Sequence, residues 1–282
     1  MKNRIKKILI GIGIVFVLVA SFVTIKDEVF YWLFSDSSAG EGGQATLCSE
    51  AGNVALLKIH GGIVNYKLDS LETQPEYADT VSSENIVADL EMIENNDAIK
   101  AIIVEIDSPG GIGVAGEEIM NSLLKSSKPV TAVIRERAWS AGYMVASAAD
   151  IIFASRMSEV GSIGVTMSYL DNSKKNKIEG ITYNQLSTGK FKDTGNPDKD
   201  LTAEEKDILM ASLKKTHQIF VEYIAKNRNM DIKAVEKIAD GNSFIAQDAK
   251  DLGLIDEIGD LSSAKDWLIN QLGIEPAVCI YE

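Results

Sequence analysis

The sequence predicts an α/β domain, and three observations carry that expectation. Ala101–Ile106 (AIIVEI) is apolar apart from Glu105, the pattern of a strand buried on both faces. Such segments alternate with stretches of helical spacing, the order expected of parallel βαβ units. The chain of 282 residues carries no internal repeat and is long enough to bury one sizeable core.

The N-terminus is of a different kind. Lys2, Arg4, Lys6 and Lys7 precede Ile8–Ile25, 18 residues without a charge. At about 1.5 Å per residue a helix of this length just crosses a bilayer core of about 30 Å. The basic flank predicts that the start stays in the cytoplasm and the rest lies outside. The expected organisation is therefore a cytoplasmic basic segment at 1–7, a transmembrane signal anchor at 8–25, a flexible linker at 26–52 and an extracytoplasmic domain at 53–282. Phe34–Gln44 (FSDSSAGEGGQ) has the small, polar composition of a spacer. A cleavable signal peptide is the competing reading, for which Leu18-Val19-Ala20 makes a poor cleavage site.

Within the domain, Val54–Ile59 reads as a strand. Ile86, Leu90 and Ile93 recur with helical spacing behind Ser82-Ser83. After the Ala101–Ile106 strand come a helix at Val114–Lys125, a strand at Val130–Ile134, a short helix at Ala141–Ala148 and a strand at Ile151–Ala154. Thr202 and Glu205 form a capping box that opens a long helix carrying Leu209, Leu213 and Phe220.

Composition narrows the function. A net charge of −13 argues against a nucleic-acid-binding surface. Two cysteines exclude a disulfide-dense scaffold, and two histidines leave little for a His-rich metal site. Cys48 and Cys279 face a compartment that permits disulfides, and the sequence leaves both a bond and two free thiols open.

Two segments are candidates for chemistry. Asp107-Ser108-Pro109-Gly110-Gly111 follows a buried strand, where glycines free backbone N–H groups to face a cavity. Ala138-Trp139-Ser140-Ala141-Gly142-Tyr143 places a serine between a strand and a short helix, where the helix start favours negative charge. Plain alternatives stand beside them: a tight turn for the first, an N-cap serine for the second. Gly111, Gly113 and Gly116 also spell a dinucleotide fingerprint, with Glu136 twenty residues on. Its position is wrong for an N-terminal cofactor domain, but it supports a cofactor-binding enzyme as a rival reading. A serine nucleophile needs a base. His60, at a strand end, and His217, inside a helix, have no placement that suits the role. Gly189-Lys190-Phe191-Lys192 offers two lysines, either of which can act if held neutral.

The order D-S-P-G-G, S-A-G-Y, G-S-I-G-V (Gly161–Val165) and G-K-F-K resembles the signal peptide peptidase family of membrane-anchored Ser/Lys-dyad proteases. The likeness runs from about Val54 to Gly259 and ends in Ala249–Asp256, similar to the family's closing A-x-x-x-G-L-[IV]-D. The resemblance implies a ClpP/crotonase-like repeated β-β-α spiral, a single domain behind an N-terminal transmembrane anchor. It implies Ser140 as nucleophile, Lys192 as general base, Ser162 as the group that orients the lysine, and Gly110 or Gly111 with Ala141 as the oxyanion hole. It also implies no cofactor and no metal, peptide substrates such as remnant signal peptides, and a homo-oligomeric ring. A stomatin-like membrane-protein partner is an alternative substrate, and an anchored scaffold without activity is a further rival. The chain departs from the family's usual S-G-G-Y and G-R at Ala141, at Trp139 and at Asn242, which follows Gly241.

Overall fold

The computed structural model describes residues 46–48, 52–67, 79–273 and 275–281. The expected cytoplasmic segment and signal anchor lie outside the described residues, and no described helix is long and apolar enough to cross a membrane. All described residues belong to one unit, Thr46–Glu282.

The chain begins with strands β1 (Thr46–Leu47), β2 (Val54–His60), β3 (Gly62–Val64) and β4 (Thr80–Ser82), then helix α1 (Ser83–Glu94). Strand β5 (Ala101–Ser108), helix α2 (Gly113–Lys125), strand β6 (Val130–Trp139) and helix α3 (Ala141–Ala146) follow. Next come β7 (Ile151–Ala154), β8 (Glu159–Gly161) and the short helix α4 (Ser173–Ile178). The chain closes with α5 (Ala203–Asn227), α6 (Ile232–Ile238), β9 (Ser243–Ile245), α7 (Ala246–Asp251), β10 (Glu257–Ile258), α8 (Leu261–Leu272) and β11 (Val278–Ile280).

The main sheet runs in the order β1-β11-β2-β5-β6-β7-β10, each neighbouring pair parallel, as the alternation of strands and helices predicts. Strand β6 is longer than its apolar pattern suggests. Its first half pairs with β7, and after a register shift opposite Ile106/Ser108 its charged second half, Arg137 to Trp139, pairs with β8. The sheet is not wholly parallel, because β9 closes antiparallel on β8. A separate parallel pair joins β3 to β4.

Core lies on both faces of the sheet. One cluster includes Leu57, Ile106, Ile119 and Ile134, which bury the inner sides of α1 and α2. The smaller one gathers Val54, Ile103, Val133 and Phe153 against Ala264 and Leu268 of α8. Strand β1 falls inside the stretch expected as linker, so the ordered domain starts before Asn53. Its pairing with β11 brings Cys48 to Cys279, and the two are disulfide-bonded, which resolves the question the sequence left open.

Candidate active site

Ser140 occupies the single-residue corner between β6 and α3, at φ 52 and ψ −121. That backbone region is strained for any residue with a side chain, and such strain concentrates where a fold holds a group for chemistry. The corner is fixed on both sides. The Ser140 N–H donates to Gly161 O at 2.8 Å, and its carbonyl accepts from Met144 N at 3.0 Å. Behind it α3 is buried throughout, pinned by Tyr143, whose hydroxyl donates to Leu254 O at 2.9 Å. Burial pushes the Tyr143 phenol well above its ordinary value, so it remains a donor.

The glycine turn after β5 lies directly against this corner. A Cβ on Gly110 would meet Ser140 Cβ at 2.8 Å and Ala141 N at 3.2 Å. Gly110 has φ +98 and Gly111 φ +154, conformations that suit glycine. The turn is templated by β3: Ile63 N donates to Gly110 O at 2.9 Å, and Ile112 N donates to Ile63 O at 2.8 Å. Because a trans peptide points its N–H opposite its C=O, the Gly111 N–H faces away from Ile63. The Gly110 N–H is already held by Ser108 Oγ at 3.1 Å. Of the two glycines, Gly111 therefore keeps the free donor, and Ala141 N, at the first position of α3, is likewise without an acceptor among the described residues.

Two of the three glycines of the apparent dinucleotide fingerprint thus have other work, while a Cβ on Gly113 would meet nothing within 4 Å. Gly111 bridges to Ile63, and Gly116 lets α2 approach α3, since a Cβ there would meet Ala141 Cβ at 2.9 Å. Trp139, before the serine, stacks with the Arg137 guanidinium at 5.1 Å from the ring centroid.

Ser162 follows Gly161, the acceptor of the Ser140 N–H, so the two serines sit at the ends of paired strands. Ser162 also has positive φ (50), and its N–H donates to Asn242 O at 2.8 Å. The contact uses the Asn242 backbone, so the departure from the family's arginine leaves it intact.

The two lysines of G-K-F-K differ. Lys190 is engaged by Glu204 at 2.5 Å and lies over the Phe191 ring. Lys192 is exposed, and its Nζ has no hydrogen bond or ion pair among the described residues. No bond joins it to Ser140 or Ser162 within one chain. Its loop is anchored just beyond by Glu205, which accepts from Lys199 Nζ at 2.5 Å and from Thr202 N and Thr202 Oγ1 at 3.0 and 2.9 Å. The hydrogen bond from the Lys199 ammonium, aided by those from Thr202, holds the Glu205 carboxyl down to about 2.

The histidines have partners other than Ser140. His60 Nε2 lies 3.1 Å from Glu105 Oε1, and His217 Nε2 contacts Ala239 O at 2.8 Å. The closing A-x-x-x-G-L-I-D stretch is structural support: Asp256 Oδ2 accepts from Ile152 N at 2.7 Å, and both Asp256 oxygens accept from Arg228. Among the described residues no cluster of His, Cys, Asp or Glu is suited to a metal ion.

Residues 122–275 match the model of peptidase family S49. The chain belongs to that family. Residues 71–160 also match the Clp protease model, in keeping with the parallel-dominated sheet. Among its relatives, a candidate protease of Methanocaldococcus jannaschii is 37% identical over 60% of this chain and 55% of its own length. A candidate signal peptide peptidase of Enterococcus faecium is 30% identical over 84% of this chain and 69% of its own. The chloroplast serine protease SPPA of Arabidopsis thaliana is 30% identical over 75% of this S49 chain and 31% of its own length. The chain thus spans about half the length of the archaeal relative and less of the plant one.

Proposed function

We propose that this S49 chain is a serine endopeptidase of peptides outside the cytoplasm, with Ser140 as nucleophile and Lys192 as general base. The observation that carries the reading is the Ser140 corner: a strained serine at a helix start, pressed against a glycine turn, with the Gly111 and Ala141 N–H groups unpaired among the described residues. Neutral Lys192 takes the Ser140 proton as Oγ attacks the substrate carbonyl. The Gly111 and Ala141 N–H groups stabilise the oxyanion, and the lysine returns the proton to the leaving amine. Water, deprotonated by the same lysine, then hydrolyses the acyl-enzyme, and Ser162 orients the lysine throughout.

With Lys192 exposed and without a hydrogen bond or ion pair among the described residues, we propose that the lysine at each site comes from a neighbouring copy in a homo-oligomeric ring of spiral-fold subunits. The exposure of Leu170, Ile178, Ile181 and Leu186 on the same loop region, apolar side chains that a neighbour would cover, supports this. The basic start and charge-free run at 8–25 support a membrane anchor, with remnant signal peptides or other hydrophobic segments at the membrane surface as substrates.

Labelling with a fluorophosphonate, mapped by mass spectrometry, tests the reading. The label is expected on Ser140 and absent from Ser140→Ala, which also loses peptidase activity while melting close to wild type. A Ser140→Ala chain that keeps turning over peptide would sink the assignment.

A further inference from the structure

We propose that Ser108 is a positioning residue for this site: its hydroxyl ties the glycine turn to Gly61 and so sets which glycine N–H is left to bind the oxyanion. The inference rests on the peptidase reading above and concerns a side chain to which that reading gives no role.

Ser108 is the last residue of β5 and is fully buried. Its hydroxyl donates to Gly61 O at 2.7 Å and accepts from Gly110 N at 3.1 Å. A buried serine in an apolar sheet costs free energy unless both capacities are used, and here both are. The neighbouring backbone is drawn into the same knot, since Gly61 N donates to Asp107 O at 2.9 Å. Ser108 also touches the far side of the site. A Cβ on Gly142 would meet Ser108 Cβ at 3.1 Å, so the side chain stands between the glycine turn and the first turn of α3.

Two adjacent peptides are thereby fixed in concert. Ser108 holds the N–H of Gly110, and Ile63 holds its C=O. With both ends of Gly110 committed, the Gly110–Gly111 peptide has one orientation, and Gly111 N–H is presented without an acceptor among the described residues. Glycine has no side chain to resist rotation of either peptide, so the restraint must come from partners such as these. Removal of the hydroxyl leaves the buried Gly110 N–H unsatisfied, and the turn relieves this by rotating. Rotation at Gly110 carries Gly111 N–H away from the developing negative charge. Ground-state peptide binding does not need that donor, whereas the tetrahedral state does.

The test uses the full chain, a leucine-ending aminomethylcoumarin peptide as substrate, and two inhibitors, a Leu-Leu-norleucine aldehyde and the alcohol of the same sequence. The aldehyde forms a hemiacetal whose oxygen occupies the hole; the alcohol does not. Ser108→Ala is expected to lower kcat about 100- to 1,000-fold, the scale of losing one oxyanion donor. KM stays within about twofold, the signature of an interaction made only in the transition state. The preference for aldehyde over alcohol shrinks by the same factor as kcat, and Ser108→Thr, which keeps a hydroxyl, recovers most of both. Should the alanine variant not fold, Ser108→Cys preserves the side-chain shape with a much poorer hydrogen-bonding group and is read in the same way. Wild-type kcat and aldehyde preference in either variant overturn the proposal. So does an equal loss of affinity for aldehyde and alcohol, which marks a merely structural residue. A wild-type chain that neither labels at Ser140 nor prefers the aldehyde brings down the peptidase reading itself, and this inference with it.

Discussion

The Cα of Gly110 stands so near Ser140 that a methyl group added to it would come within 2.8 Å of the serine Cβ. Two backbones from different parts of the chain, the end of β5 and the end of β6, are in this way brought to closest approach at the proposed nucleophile. Gly110→Ala is therefore expected to displace Ser140 and to force a side chain into φ +98. The strain costs about 1–3 kcal/mol of stability. Displacing the nucleophile by about 1 Å lowers turnover on the order of a hundredfold. Peptide hydrolysis and thermal melting of the same preparation check both; full activity would show that the close approach is irrelevant to the chemistry.

A general-base lysine accepts a proton only when neutral, and a guanidinium stays protonated at any accessible pH. Lys192→Arg is expected to be inactive at every pH, with its melting temperature unchanged. Lys190→Ala, which removes the partner of Glu204, should keep most activity. Rates for the two variants across a pH series decide between the lysines, and an active Lys192→Arg would move the base elsewhere.

If each site takes its serine and lysine from different copies, two dead chains can rescue one another. Ser140→Ala and Lys192→Ala subunits, mixed equally and reassembled, should complete about a quarter of the sites in a ring of random order. Activity that stays at background, with subunit exchange verified by tagged chains, would place both residues of the dyad in one chain.

Glu205 couples the loop that bears Lys192 to the start of α5, and its carboxyl is depressed from 4.5 to about 2. A depressed acid contributes stability that is fully present above its unfolded value and lost as pH falls through its folded value. The wild type is expected to lose this contribution between pH 4.5 and about 2, while Glu205→Gln lacks it at every pH. The gap between their melting curves should be full at pH 7, shrink below pH 4.5 and close only once the pH is below about 2. A constant gap across that range would assign the difference to packing instead of charge.

The sequence made the framework of the sheet readable because Ala101–Ile106 and Val130–Ile134 are apolar enough to leave few alternatives. It lost the second half of β6, where Arg135, Glu136 and Arg137 interrupt the pattern although the backbone continues to Trp139. Ser140 and Lys192 emerged only from the order of several motifs, since a serine before a helix and a surface lysine are each ordinary. What separates Lys190 from Lys192 is Glu204, a contact made in space and invisible to spacing. Ser108 lay in plain sight within D-S-P-G-G, yet its partner Gly61 is 47 residues away and its strand-end position reads as a turn. The template role of Ile63 was hidden for the same reason, because β3 is three residues long and has no pattern of its own.

The bond between Cys48 and Cys279 spans 231 residues and joins the strand that opens the described domain to the strand that closes it. Nearly the whole domain is thereby a covalent circle, with the loop that carries Lys192 lying on its circumference. A single cut in that loop, whether made by a contaminating enzyme or by a sister subunit, opens the circle without dividing it. Under oxidising conditions the nicked molecule gains only the mass of one water and keeps both halves of its sheet, and only a reductant lets the pieces part.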